Sequence, residues 1–146
     1  MFYPIALTTH LLCAIMFIGV VFFEIVMIEG IRKRIGDELM ERFENALVGR
    51  ARKVMPYVVG LLFLSGAYLL HSHFGALQLD WKNSFTVLLS IKIALAISVL
   101  IHFVTALRAQ ATGCMSSRRF QITHLSVGIH MLFIVILAKA MFYWTW

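Results

Sequence analysis

Six histidines stand out in this 146-residue chain, because its other polar side chains are sparse. His10, His71, His73, His102, His124 and His130 are set in or beside long apolar runs, and so are Glu24, Lys92 and Lys139. Imidazole is a versatile donor for transition metals, and an ionisable side chain in an apolar run is expensive enough to need a reason. Read as helices rising about 1.5 Å per residue, the runs sort these groups by depth. His10 falls roughly 8 Å below the outer edge of the first run, and Lys92 roughly 10 Å below that of the third, with His71 close to the outer edge. His102 falls roughly 8 Å and His124 roughly 4 Å above the inner edge, with His130 nearer the middle. The expectation is an outer group, His10 with His71 or His73, and an inner group, His102 with His124 or His130, with Glu24 beside the latter.

Histidines at matching depth on facing helices are what a b-type haem needs. The iron takes one imidazole nitrogen on each side, and the flat apolar macrocycle fills the space between helices. His10, His102 and His130 are the candidate iron ligands, with His71 and His124 as further cofactor-binding candidates; two depths allow one haem or two. Arg108, Arg118 and Arg119 are the inner cations available to propionates, and Lys92 and Lys82 the outer ones. His124 and His130 are six residues apart and point to different faces, so at most one serves a given iron. Copper is the alternative metal, since imidazole and thioether both suit it and the chain has eight methionines. Those methionines form no Met-x-Met cluster and are spaced as ordinary packing would space them. Plainer accounts exist for several of these groups. His73, His71 and His124 fit a helix end or the headgroup level, Lys139 fits snorkelling outward, and Glu24 fits a pairing with a loop arginine. They are weakest for His10, Lys92, His102 and His130.

The elements that must position these residues follow from composition. The chain is 61% hydrophobic and 14% charged, more apolar surface than a soluble domain of this size can bury. Four runs approach or exceed the length needed to cross a bilayer as helices, about 5–28, 54–71, 85–107 and 121–144. The expected fold is therefore an all-α, integral-membrane four-helix bundle in one domain. The first run lacks a basic leader and reads as a span, not a cleaved signal. Loop one carries Arg32, Lys33, Arg34, Arg42, Arg50, Arg52 and Lys53, and loop three carries Arg108, Arg118 and Arg119, against only Lys82 in loop two. The positive-inside rule then places loops one and three in the cytoplasm and both termini outside. Trp81, Trp144 and Trp146, with Phe2, Tyr3 and Tyr143, fall on that outer side, where amphipathic rings settle at headgroups. Within loop one, Leu39, Phe43 and Leu47 recur every fourth residue among charges, which predicts a cytoplasmic helix continuing the first span or lying on the membrane surface. Pro56 is expected in the first turn of the second span.

Other classes find little support. Cys13 and Cys114 form no Cys-x-x-Cys pair, so neither a disulfide framework nor a structural zinc site is indicated. The net charge of +6 comes from residues flanking spans, which speaks against nucleic acid as a partner. No phosphate-binding glycine loop, HExxH or nucleophile elbow is present.

Three stretches carry a family resemblance. They are THLLCAIMFIGVVFF in the first span, RKVMPYVVGLLFLSGAYLL in the second and SIKIALAISVLIHFVTALR in the third. In length, span order and these motifs the chain resembles the superfamily of the HemJ protoporphyrinogen oxidases and the CopD copper-resistance membrane domains. The resemblance implies haem b or copper, a tetrapyrrole or quinone as partner, and a bacterial inner membrane with periplasmic termini. It implies roles for His10, the histidine near the start of the first span, for Lys92, the HemJ-like lysine and candidate catalytic residue, and for His102, the later histidine of that span. The chain has Phe17 where HemJ proteins show Trp, lacks the LPR-type motif, and adds His124 and His130. These departures weigh against protoporphyrinogen oxidation and leave haem binding standing, with a HemJ-like oxidase as the enzymatic version. The resulting expectation is a b-type haem protein, redox-active in the bilayer. Copper transport and a non-catalytic role in a respiratory complex are the alternatives, and a homodimer or larger membrane complex is open.

Overall fold

The structure is a computed structural model that describes residues 2–74, 83–112 and 117–144, and within them every regular element is a helix. Helix α1 spans Phe2–Phe22 and runs into a π-helical segment, Phe23–Ile28; α2 (Glu29–Ile35), α3 (Asp37–Phe74), α4 (Ser84–Ala111) and α5 (Ser117–Ala140) follow. Four helical stretches are long and apolar enough to cross a membrane: Phe2–Arg32, Glu38–Ser72, Ser84–Ala111 and Phe120–Ala140. The shortest has 21 residues, which at about 1.5 Å each matches a hydrocarbon core of about 30 Å. Ile15, Leu64, Ile101 and Leu132 are each more than half exposed along these stretches. Apolar faces of that extent are compatible with lipid tails as their solvent. Trp81, Lys82, Cys114 and Trp146, and the side chains of His73 and Arg119, lie outside the described residues.

The chain divides into two compact units, Met1–Leu77 and Gln78–Trp146. In the first, α1 packs along α3. Its buried residues Cys13, Phe17, Val21, Glu24 and Ile28 recur every three or four positions, one stripe of a helix. Gly36 then breaks the helix. Its φ of 77° and ψ of 158° lie in a region open essentially to glycine alone. Arg32 of α2 donates to Glu29 and, across the break, to Glu44 of α3. The Met40 N–H bonds to the Gly36 carbonyl at 3.1 Å, and the Met40 side chain is fully enclosed at the corner.

Two expectations change here. The stripe of Leu39, Phe43 and Leu47 belongs to α3, in one helix with the second span, because Gly36 separates it from the first. Pro56 consequently lies in the interior of the 38-residue α3 and not in a first turn, and it removes the N–H that would bond to the Arg52 carbonyl.

In the second unit α4 and α5 form an antiparallel hairpin. Asn83 caps α4, its side-chain oxygen accepting from the Phe85 N–H at 3.0 Å. At the same end Phe85 meets Phe142 edge to face, with ring centroids 5.8 Å apart. Helix α5 stops at Ala140, short of the expected 144, and the chain turns so that the Trp144 N–H bonds to the Ala140 carbonyl at 2.8 Å. Lys139 lies over the Tyr143 ring, 5.0 Å from its centroid. That carries its ammonium toward the helix end, as snorkelling requires.

Candidate histidine sites

His10 is held by the backbone of the neighbouring helix. Its Nδ1 lies 2.9 Å from the Leu62 carbonyl oxygen and 3.3 Å from Ser65 Oγ. A carbonyl can only accept, so Nδ1 carries the ring proton and Nε2 is the acceptor nitrogen of the neutral ring. The Ser65 hydroxyl donates to the Leu61 carbonyl at 2.6 Å, so toward His10 its oxygen accepts. The ring fits because residue 66 is glycine: a Cβ there would stand 3.0 Å from His10 Cε1 and 3.3 Å from Nδ1. Leu62, Ser65 and Gly66 thus make a notch one helical turn long, cut to an imidazole.

His102 and His130 meet in the other unit, with ring centroids 5.5 Å apart and planes inclined by 49°. Each donates Nδ1–H to the carbonyl four residues back on its own helix, His102 to Ser98 at 2.8 Å and His130 to Ser126 at 2.7 Å. Each Nε2 faces a hydroxyl of the opposite helix. His130 faces Ser98 Oγ at 3.2 Å, and His102 faces Ser126 Oγ at 3.4 Å. Two Ser-x-x-x-His segments, Ser98–His102 and Ser126–His130, are therefore locked head to tail. Antiparallel packing puts each serine level with the other helix's histidine, and both rings are half-buried.

This arrangement limits what the pair can hold. Two imidazoles on opposite sides of one metal ion, each about 2 Å from it, have centroids about 6 Å apart and face one another through a common point. Here the rings are closer than that, are inclined, and turn their Nε2 atoms to different serines. In this arrangement the two rings do not face one another across a common point. Nor does Ser98 or Ser126 form a nucleophile site, although each has an imidazole base oriented by a third group. Both lie in helix interiors, where the neighbouring N–H groups are engaged in the helical ladder and cannot stabilise an oxyanion.

The remaining candidates are dispersed. His124 donates Nδ1–H to the Phe120 carbonyl at 2.9 Å and packs on the Phe120 ring. His71 is exposed on α3, six residues and so about 9 Å past Ser65; the α1–α3 packing keys His10 to the notch and not to His71. Lys92 is half-buried within α4, and Arg108 is exposed in its last turn. Glu24 is buried in the π-helical segment, beside a groove lined by Ile15, Met16, Gly19, Val20 and Phe23. Among the described residues no group of three or more His, Cys, Asp or Glu gathers at metal-binding distance. Sequence reasoning passed over Ser65, Gly66, Ser98 and Ser126. The repeated Ser-x-x-x-His spacing was the available signal for the last two. No family model, curated protein or solved structure matches the chain.

Proposed function

We propose that the chain is a four-span protein of a bacterial inner membrane, with both termini periplasmic, that holds b-type haem through His10 and serves electron transfer or the handling of a tetrapyrrole. The observation that carries this reading is the state of the His10 ring. Its proton is committed to the Leu62 carbonyl, which makes Nε2 the acceptor nitrogen of the neutral ring. That is the tautomer and backbone anchoring by which protein histidines ligate metals, with the carbonyl raising the basicity of the opposite nitrogen. The residues fit haem in donor chemistry at His10.

When bound, haem supplies one-electron redox chemistry, tuned by its axial ligand and the dryness of its surroundings. The protein's part is to orient the ring and keep water out. Ser65 and the Leu62 carbonyl fix the angle of the imidazole, and the absent Cβ of Gly66 leaves it room. Lys92 is the half-buried cation available to a carboxylate of a tetrapyrrole, and Arg108 a more exposed one. The orientation rests on loop charge, which concentrates arginine and lysine in loops one and three.

The test is an absorption spectrum of the detergent-purified protein, oxidised and then dithionite-reduced, with a pyridine haemochrome assay. A sharp reduced α-band with near-integral haem per chain is expected, lost in His10→Ala and kept in His102→Gln and His130→Gln. A colourless protein from haem-replete cells sinks the reading. Stoichiometric copper would then select copper transport, and a metal-free protein would leave a subunit role.

A further inference from the structure

We propose that the groove beside Glu24 binds one phospholipid with a primary-ammonium headgroup, phosphatidylethanolamine, its acyl chain laid along α1 and its ammonium on the Glu24 carboxylate. The groove belongs to the first unit and has a volume of about 340 Å³, within the range of small-ligand sites. Its walls are Ile15, Met16, Gly19, Val20 and Phe23, with Leu47 from α3. Ile15 is 66%, Met16 49% and Phe23 46% exposed, so the groove is open along its length. A glycine makes the floor: a Cβ at Gly19 would meet nothing within 4 Å. Glu24, by contrast, is only 7% exposed. A buried carboxylate in an apolar helical stretch is costly, and its natural compensation is a cation. With two oxygens and about four acceptor sites, it can serve a ligand beside any partner inside the protein.

Depth and direction match a lipid. Glu24 lies toward one end of the Phe2–Arg32 stretch, and Ile15 lies near its middle. The groove follows α1 from Phe23 to Ile15, roughly 12 Å at about 1.5 Å per residue. That is close to half of a hydrocarbon core of about 30 Å. A chain laid in it therefore starts near the membrane surface and ends near the midplane, as a lipid tail does. The register of the two helices supplies the other half of the headgroup site. His10 meets Leu62, and Arg32 meets Glu44. Between these ties Glu24 comes level with the turn of α3 that carries Arg50. Arg50 is exposed, one turn on from Leu47 and on the same side of α3. A carboxylate and a guanidinium at one level suit a zwitterion, with the ammonium on Glu24 and the phosphate on Arg50. The π-helical turn also begins here, the Glu29 N–H bonding to the Glu24 carbonyl. Such turns are rare and recur at functional sites.

This chemistry discriminates among headgroups. A primary ammonium brings N–H donors to the carboxylate. The trimethylammonium of phosphatidylcholine brings none and holds its charge further off. Phosphatidylglycerol offers a phosphate and a net negative charge, which Glu24 repels. The expected order of affinity is therefore ethanolamine, then choline, then glycerol. The cations of loop one acting alone would favour the anionic lipid instead. The inference needs only the α1–α3 pair in a bilayer. It is independent of haem at His10 and of which membrane face is which.

The experiment is native mass spectrometry of the full-length protein released from detergent micelles. It is titrated with phosphatidylethanolamine, its mono- and dimethyl derivatives, phosphatidylcholine and phosphatidylglycerol, all with the same acyl chains. One phosphatidylethanolamine per chain should bind about tenfold tighter than phosphatidylcholine, with the partly methylated lipids between them in order. Glu24→Gln should bring the ethanolamine and choline lipids to equal affinity. Gly19→Leu fills the groove and should abolish the tight site for both. Arg50→Gln should weaken both alike. The methylation series uses the unaltered protein, so it decides the matter even if a variant fails to fold. Equal binding of the ethanolamine and choline lipids to the unaltered protein would overturn the proposal. So would tighter binding of phosphatidylglycerol, which loop charge alone explains, an ethanolamine preference that survives Glu24→Gln, or a tight lipid that survives Gly19→Leu.

Discussion

The two units hold their histidines in opposite ways. His10 is gripped from one side: α3 supplies a carbonyl, a hydroxyl and a missing Cβ, and α1 supplies only the ring. His102 and His130 are gripped mutually, each helix offering one ring and one hydroxyl to the other. The first arrangement anchors the ring through Nδ1 alone. The second turns both Nε2 atoms to hydroxyls. The same residue type, in the same tautomer, thus meets a carbonyl-and-hydroxyl notch in one unit and a facing hydroxyl in the other. The distinction comes from what the facing helix presents.

Several substitutions would break or sharpen this contrast. The largest effect is expected at the notch. Gly66→Leu forces a side chain into the space of the His10 ring, where even a Cβ stands at 3.0 Å, and overpacking of this kind costs about 3 kcal/mol. Reversible unfolding in mixed detergent micelles should show that loss together with loss of haem. Normal haem content in Gly66→Leu would mean that the notch does not position the ligand. Next comes the corner before α3. Gly36→Ala places a Cβ at φ 77° and should cost about 2 kcal/mol by the same assay, with haem content unchanged.

Smaller effects should separate the mutual Ser–His clasp from the notch. Ser98→Ala and Ser126→Ala should each cost about 0.6 kcal/mol, the usual worth of an interhelical hydrogen bond in a membrane protein. The two-fold arrangement requires the costs to be nearly equal. A large asymmetry would show that only one of the two Ser–His contacts persists in the bilayer. Smallest of all, Glu38→Gln removes an ion pair to Arg42 that is largely exposed on both sides. Denaturation at low and high salt should show almost no change from it. Glu44→Gln, which removes the half-buried tie from α3 to Arg32, should exceed it.

Much of this architecture was legible in the chain. The helical class and the four long apolar stretches follow from runs that no small soluble domain could bury, and the structure has helices over all four. The inner histidines His102 and His130, expected at similar depth, do meet. Their serines were not anticipated, because a serine in an apolar helix usually satisfies itself on its own carbonyls and gives no outward sign. The outer pairing of His10 with His71 does not arise in the α1–α3 packing. Depth along a span constrains only one coordinate, and the rotation of α1 against α3 brings the ring to Leu62 and Ser65. Pro56 misled for a related reason: proline marks a helix start only when nothing upstream is helical, and α3 begins at Asp37.

By itself the sequence determined which segments are helices apolar enough for lipid, where the charges between them lie, and that several ionisable groups sit within those segments. These are properties of composition and of the i to i+4 ladder, which each segment satisfies alone. It also determined that a helical histidine can reach the carbonyl four residues back, as His102, His124 and His130 do. Tertiary structure alone decided what each Nε2 faces. That depends on the rotation and axial offset of one helix against its neighbour, and these are set by side-chain packing along the whole contact. A shift of one residue in α5 would turn Ser126 and His130 about 100° away from α4 and dissolve the clasp, with every residue of the motif still in place.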